Sequence, residues 1–345
     1  MASAREGRCL EVGPPGSPVE FSADGRDLLI CGDVLSTAAT IRPGSLALVY
    51  LDPPFGTGRP QPYRAGLSGK EKALDDRADP EAWWSHWGPR IDALSRTLRP
   101  GGILVIHLDP RLAPRVRVSL DARLGPANLV NEIVWHYRSG GIARDRFAAK
   151  HDTLIVYRTA AGHTFHRQTE KRLLAHRVRR AGVDEFREGG RWYRHALMDD
   201  VWEIGHIPPD ARERLGYPTQ KPESLVERLL SAFTDPGESV TDLACGSGTL
   251  PAVARRLGRR WIAGDRDPRA IVCTAGRIAR AITPELLARW NDAGVMGRRG
   301  DLAKRLERWR RAPSSWGLSE SELLVTRGEN AVAPGFCIAW EEGAI

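Results

Sequence analysis

Residues 239–265 read SVTDLACGSGTLPAVARRLGRRWIAGD, and residues 46–55 read LALVYLDPPF. The first stretch has the pattern of a strand, a Gly-Ser-Gly loop, an apolar helix and a second strand ending in Asp265. Glycines at 246 and 248 let the backbone turn tightly and approach a ligand closely. Asp265 lies roughly 20 residues past the loop, where doubly wound nucleotide sites place an acid on ribose hydroxyls. The loop is neither GxGxxG nor a Walker A motif, which points to a nucleoside ligand without a pyrophosphate. S-adenosyl-L-methionine fits that description better than a dinucleotide or ATP.

The second stretch is a continuous apolar run, Leu46–Leu51, of the kind found in parallel strands covered on both faces. It stops at Asp52-Pro53-Pro54-Phe55, on the strand edge where open α/β sheets bind ligands. The prolines fix the main chain and donate no hydrogen bond, so carbonyls are left to face a pocket. The Asp52 carboxylate can accept a hydrogen bond and the Phe55 ring can stack on a planar base. A purely rigid turn is the competing reading of Asp-Pro-Pro.

Working outward, residues 27–33 (DLLICGD) and 102–109 (GILVIHLD) read as further strands. Residues 57–79 are polar, rich in Gly and Pro, and read as a loop. From Pro80 a helix is expected, with Trp84, Trp87, Ile91, Leu94 and Leu98 on its apolar stripe, ended by Pro100-Gly101-Gly102. A second helix is expected over Glu223–Phe233, with Leu225, Val226, Leu229, Leu230 and Phe233 on one face and Pro222 in its first turn. Alternating strands and helices predict an α/β, Rossmann-like fold. Its core is expected at 1–137 and 206–283, interrupted by an Arg- and His-rich insert at 138–205 and followed by a basic extension at 284–345.

With 345 residues, 41% of them hydrophobic, the chain can bury a large core and is not of the disordered class. The longest apolar runs, Leu46–Leu51 and Ile103–Leu108, are strand-length and far short of a membrane span. The first residues lack an apolar signal region, and the five cysteines lack CxxC spacing. No metal site, disulfide framework or membrane contact is therefore expected, and a cytoplasmic location is. The formal charge is +8, with only six lysines among 51 basic residues, a skew typical of GC-rich coding. A basic excess admits a polyanionic partner without establishing one.

Asp52-Pro53-Pro54-Phe55, then Thr219-Gln220-Lys221-Pro222, then Asp242 with Gly246-Ser247-Gly248-Thr249 resemble the motifs of the amino-group DNA methyltransferases, which modify adenine N6 or cytosine N4. The order, catalytic motif before cofactor motif with an insert between, resembles the circularly permuted β class. The resemblance covers about residues 28–283. It implies that Asp52 and the Pro53 carbonyl accept the hydrogens of the target amine, while Pro54 shapes the turn and Phe55 stacks on the flipped base. It implies that Asp242, Ala244, Gly246–Thr249 and Thr219–Pro222 hold the methionine part of S-adenosyl-L-methionine, Asp265 its ribose and Asp33 its adenine. One departure is plain: Leu243 and Ala244 stand where the family has Pro and Phe.

The resemblance further implies adenine over cytosine as the target in double-stranded DNA, since the cytosine-N4 enzymes of the family more often carry serine where Asp52 stands. The 138–205 insert would then recognise the target, with Arg138, Arg144 and Arg146 among its DNA-facing candidates. A homodimer and a cognate restriction endonuclease are further partners the resemblance admits. The altered Leu243-Ala244 pair motivates a different class of reading, a cofactor- and DNA-binding subunit that needs a partner. An RNA methyltransferase is a further alternative.

Overall fold

The computed structural model describes residues 27–54, 80–138, 142–179, 182, 184–215, 217, 219–279, 332–333 and 336–340. In chain order its elements are β1 (Asp27–Cys31), α1 (Val34–Thr40), β2 (Leu46–Leu51), α2 (Pro80–Thr97), β3 (Leu98–Leu108), α3 (Ala113–Leu124), β4 (Leu129–His136) and β5 (His151–Arg158). There follow β6 (Thr169–Leu174), β7 (Phe186–Glu188), β8 (Arg191–Leu197), β9 (Val201–Glu203), α4 (Glu223–Phe233), β10 (Ser239–Asp242), α5 (Thr249–Arg256), β11 (Arg260–Asp265) and α6 (Pro268–Ala279). Strands β12 (Val332–Ala333) and β13 (Phe336–Trp340) close the series.

Every residue of β2 is buried, as its unbroken apolar run requires of a strand covered on both faces. It lies inside a ten-stranded sheet of order β12-β13-β1-β11-β10-β2-β3-β5-β4-β9. From β13 to β3 the neighbours are all parallel. The period-two alternation of each strand splits its side chains between two layers. Leu29, Leu48, Tyr50 and Val240 pack with α4, α5 and α6, while Ile30, Val49, Leu51 and Leu104 pack with α1, α2 and α3. Helix α4 spans the residues its stripe predicts, and burying Leu225, Val226, Leu229, Leu230 and Phe233 is worth about 10 kcal/mol as an upper bound.

The topology creates the site. Strands β10 and β2 are parallel neighbours, yet β10 continues through α5 to β11 on one side, and α2 lies between β2 and β3 on the other. The winding direction reverses between β10 and β2, so a crevice opens outside their carboxyl ends.

Several expectations change in detail. Leu98 is the first residue of β3, not the last turn of α2, because Pro100-Gly101-Gly102 forces the chain into extended geometry. Trp83 is the deeply buried tryptophan of α2, and Trp84 is half-buried beneath the Arg123 guanidinium. Pro222 is the N-cap of α4 and not a first-turn residue. The segment that leaves the central sheet is narrower than 138–205, since β5 pairs with β3 and β9 with β4. A separate three-stranded sheet, β6-β8-β7, covers residues 169–197. Within the basic extension, β13 pairs in parallel with β1 and widens the central sheet. Residues 284–331 of that extension lie outside the described residues. No helix among the described residues is long and apolar enough to cross a membrane.

Candidate active site

Asp52 leaves the end of β2 with its side chain 17% exposed, facing the crevice. Its Oδ2 accepts a hydrogen bond from Lys221 Nζ at 2.5 Å, and its Oδ1 lies 4.0 Å from His107 Nδ1. Pro53 is buried, and no hydrogen bond engages its carbonyl among the described residues. The Pro54 carbonyl is engaged: it accepts the indole N–H of Trp83 at 2.7 Å. The two prolines are thereby distinguished, since only the Pro54 carbonyl is tied to α2. Phe55 lies outside the described residues.

Behind Asp52 is a buried polar chain built on His107, Tyr50 and Asp152. His107 is fully buried in β3, with Nε2 at 3.1 Å from Asp152 Oδ2 and Nδ1 at 2.8 Å from the Tyr50 hydroxyl. Burial alone would raise the Asp152 carboxyl. Hydrogen bonds and charge from His107, the Lys221 charge and the Tyr137 hydroxyl outweigh it and hold Asp152 below the usual value. An ionised Asp152 accepts the Nε2 hydrogen, and Nδ1 is partnered by the Tyr50 hydroxyl. Burial, with Asp52, Asp242 and Asp152 nearby, pushes the Tyr50 phenol well up and keeps it protonated. A lone histidine inside the apolar run GILVIHL is the signal that marks this chain.

The Gly-rich loop is built for close approach. Gly246 and Gly248 have φ of 51° and 71°, in the left-handed region. A Cβ on Gly248 would sit 2.6 Å from Thr274, and one on Gly246 3.2 Å from the Tyr217 ring. Thr274 Oγ1 donates to the Gly246 carbonyl at 3.1 Å. Arg277, its side chain 1% exposed, donates to the Ser247 carbonyl at 3.1 Å, to Thr249 Oγ1 at 3.0 Å and to Glu223 at 2.6 Å. Ser247 and Thr249 are buried within this lattice.

The loop acids differ in environment. Asp242 is 3% exposed and accepts from Ala244 N at 3.0 Å. Burial pushes its carboxyl well up, with the Asp52 and Asp265 charges adding to the effect. Asp265 is half-buried and accepts from Gly246 N at 3.0 Å and Asp267 N at 2.9 Å. Burial carries it to about 6 against those two hydrogen bonds. Its remaining lone pairs suit hydroxyl donors. Leu243 fills core space against Gly264, so the departure from the family pattern is a packed residue. Ala244 is half-buried and packs on the same layer.

Asp33 caps α1, accepting from Leu35 N at 2.9 Å and from Arg90 at 2.9 Å. Burial would raise it, but Arg90 and the Leu35 amide hold it below the usual carboxylate value. Thr219 is exposed with φ of 59°, a left-handed turn unusual for a β-branched residue. The Gln220 side chain closes that turn, donating to the Glu213 carbonyl at 2.6 Å and accepting from Leu215 N at 2.9 Å. Arg138 is exposed and paired with Glu203 at 2.8 Å, Arg146 is beside Asp145 at 3.5 Å, and Arg144 is exposed. All three follow β4, whose carboxyl end lies at the crevice edge of the sheet.

The chain is similar to known proteins in sequence and in fold. The chain is 26% identical over 246 residues to the Type II methyltransferase M.HpaI of Haemophilus parainfluenzae, covering 69% of each chain. It is 26% identical over 249 residues to the DNA adenine methyltransferase YhdJ of Escherichia coli K12, covering 71% of this chain and 80% of that one. The fold is similar to that of the PvuII DNA methyltransferase, described as cytosine-N4-specific, with a TM-score of 0.55 at 15% identity over 81% of this chain and 94% of that one. The N6/N4 methyltransferase family model, described as DNA methylase, matches residues 46–274, about two-thirds of the chain: the protein belongs to this family of DNA methylases.

Proposed function

We propose that this DNA methylase transfers a methyl group from S-adenosyl-L-methionine to N6 of adenine in duplex DNA. The observation that carries the reading is the juxtaposition across β10 and β2, which brings the Gly246–Thr249 loop beside Asp52 and the Pro53 carbonyl. The cofactor, when bound, supplies an electrophilic methyl on a sulfonium. Asp265 suits its ribose hydroxyls, and the two left-handed glycines let the backbone approach it. Asp52 accepts one hydrogen of the target amine and the Pro53 carbonyl the other. These bonds draw the nitrogen lone pair out of ring conjugation and aim it at the methyl group. Orientation and fixed acceptors of this kind supply most of what a poor nucleophile needs. The target base must leave the helix to reach the crevice, at a cost of a few kcal/mol.

Adenine is favoured over cytosine because aspartate heads the motif, and the relative YhdJ is named a DNA adenine methyltransferase. The test is methylation of duplex DNA by the purified chain, followed by nucleoside mass spectrometry. N6-methyladenine is the expected product, and N4-methylcytosine alone would overturn the assignment. Structured RNA serves as competitor, and preferential transfer to RNA refutes the DNA target. Cofactor binding without transfer supports the partner-dependent subunit instead. Asp52→Ala should abolish transfer while cofactor affinity stays near the original, and turnover close to the parent's removes Asp52 from the assigned role.

A further inference from the structure

We infer that Lys221 is a positioning residue for the Asp52 carboxylate, tying the cofactor loop to the methyl-accepting side of the crevice. The inference rests on the amine-binding role of Asp52 proposed above. The TQKP resemblance places Lys221 with the cofactor's methionine; the geometry points elsewhere. Its Nζ lies 2.5 Å from Asp52 Oδ2, with the lysine side chain 10% exposed.

The backbone of Lys221 is held from both directions. Its carbonyl accepts the Thr249 hydroxyl at 3.1 Å, from the first residue of α5 after the Gly loop. The preceding Gln220 is locked to Glu213 and Leu215, and the following Pro222 caps α4. With its main chain fixed to the cofactor loop, the side chain reaches across to the catalytic motif. A cation on one carboxylate oxygen does two things. It stops the carboxylate from rotating about its last torsion, and it makes the two oxygens unequal. Oδ2 is engaged, so Oδ1 is the oxygen presented to the amine, on the side where His107 lies 4.0 Å away. Charge-assisted bonds of this length are the stronger and more directional kind.

The test compares Lys221→Met and Lys221→Arg with the parent chain on duplex DNA. Cofactor affinity is measured by calorimetry with S-adenosyl-L-methionine, and the transfer rate in single turnovers at saturating cofactor and DNA. Misplacing Asp52 should slow transfer about 100-fold in Lys221→Met, while cofactor affinity changes less than about threefold. Lys221→Arg, which restores a cation, should recover most of the rate. Affinity lost about tenfold or more, with the saturated rate unchanged, overturns the inference and returns Lys221 to the cofactor. Equal rates in Met and Arg variants reduce it to a structural brace and overturn the inference as well. Melting curves check folding, and Lys221→Gln replaces the Met variant if that one does not fold. A parent chain that binds cofactor but methylates no DNA overturns the proposed function first, an outcome distinct from an active parent with an equally active Lys221→Met.

Discussion

At the scale of single residues, the site is a set of groups whose environments push them apart. Asp265 has an ordinary value near 3.8 and is carried by burial to about 6. Between those values the folded chain holds a proton that the unfolded chain has released, so stability falls as pH rises through this window. Asp265→Asn should flatten that slope in melting curves. Binding runs the opposite way, because ribose hydroxyls need the ionised acceptor: cofactor affinity should rise as pH increases through about 6, and calorimetry at several pH values checks it. An affinity independent of pH in that range removes Asp265 from the ribose. Gly248 has a purely steric role. With φ of 71° and Thr274 2.6 Å from any added Cβ, Gly248→Ala should lower the melting temperature and weaken cofactor binding together. The backbone strain alone costs about 1–2 kcal/mol.

At the scale of elements, α2 reaches the turn after β2 through one hydrogen bond. The Trp83 indole donates to the Pro54 carbonyl at 2.7 Å and stacks on Trp87 at 6.1 Å, so the helix fixes the turn that carries Asp52. Trp83→Phe keeps an aromatic ring and leaves that carbonyl without its donor. We expect a loss of about 1 kcal/mol in stability, and a fall in single-turnover rate of about tenfold with cofactor affinity retained. Unchanged transfer would show that the prolines hold the turn alone. Arg277 does for the Gly-rich loop what Trp83 does for the turn after β2, reaching from α6 to Ser247, Thr249 and Glu223 of α4. A buried arginine needs such partners, since an unpaired one would be strongly destabilising.

At the scale of the molecule, the central sheet and the three-stranded sheet are distinct. The excursion closes on itself, with Met198 N donating to the Gln168 carbonyl at 3.0 Å. Replacing residues 169–197 by a short Gly turn should leave the core folded and cofactor-competent while abolishing site-specific methylation. Calorimetry and modified-base sequencing of treated DNA read the two properties, and unaltered site choice would place recognition elsewhere. Charge follows the same division. Asp52, Asp242 and Asp265 stand at the carboxyl ends of β2, β10 and β11, and the exposed Arg138, Arg144 and Arg146 follow β4 on the same edge of the sheet. The +8 balance is intelligible in those terms, and DNA affinity should fall steeply with salt.

Much of this was legible in the residues alone. The unbroken apolar run of β2 has to be buried on both faces, and a strand, Gly loop, helix and strand ending in Asp265 has to wind as a parallel α/β unit. Local sterics and hydrophobic period determine such features, and both are written along the chain. Helix α4 came out residue for residue for that reason. What only the tertiary structure decided are pairings between distant residues: Lys221 with Asp52, Trp83 with Pro54, His107 with Asp152, β5 within the central sheet. Hydrogen bonds and ion pairs have no sequence period. Which donor meets which acceptor depends on strand order and helix placement, and these exist only once the chain has folded.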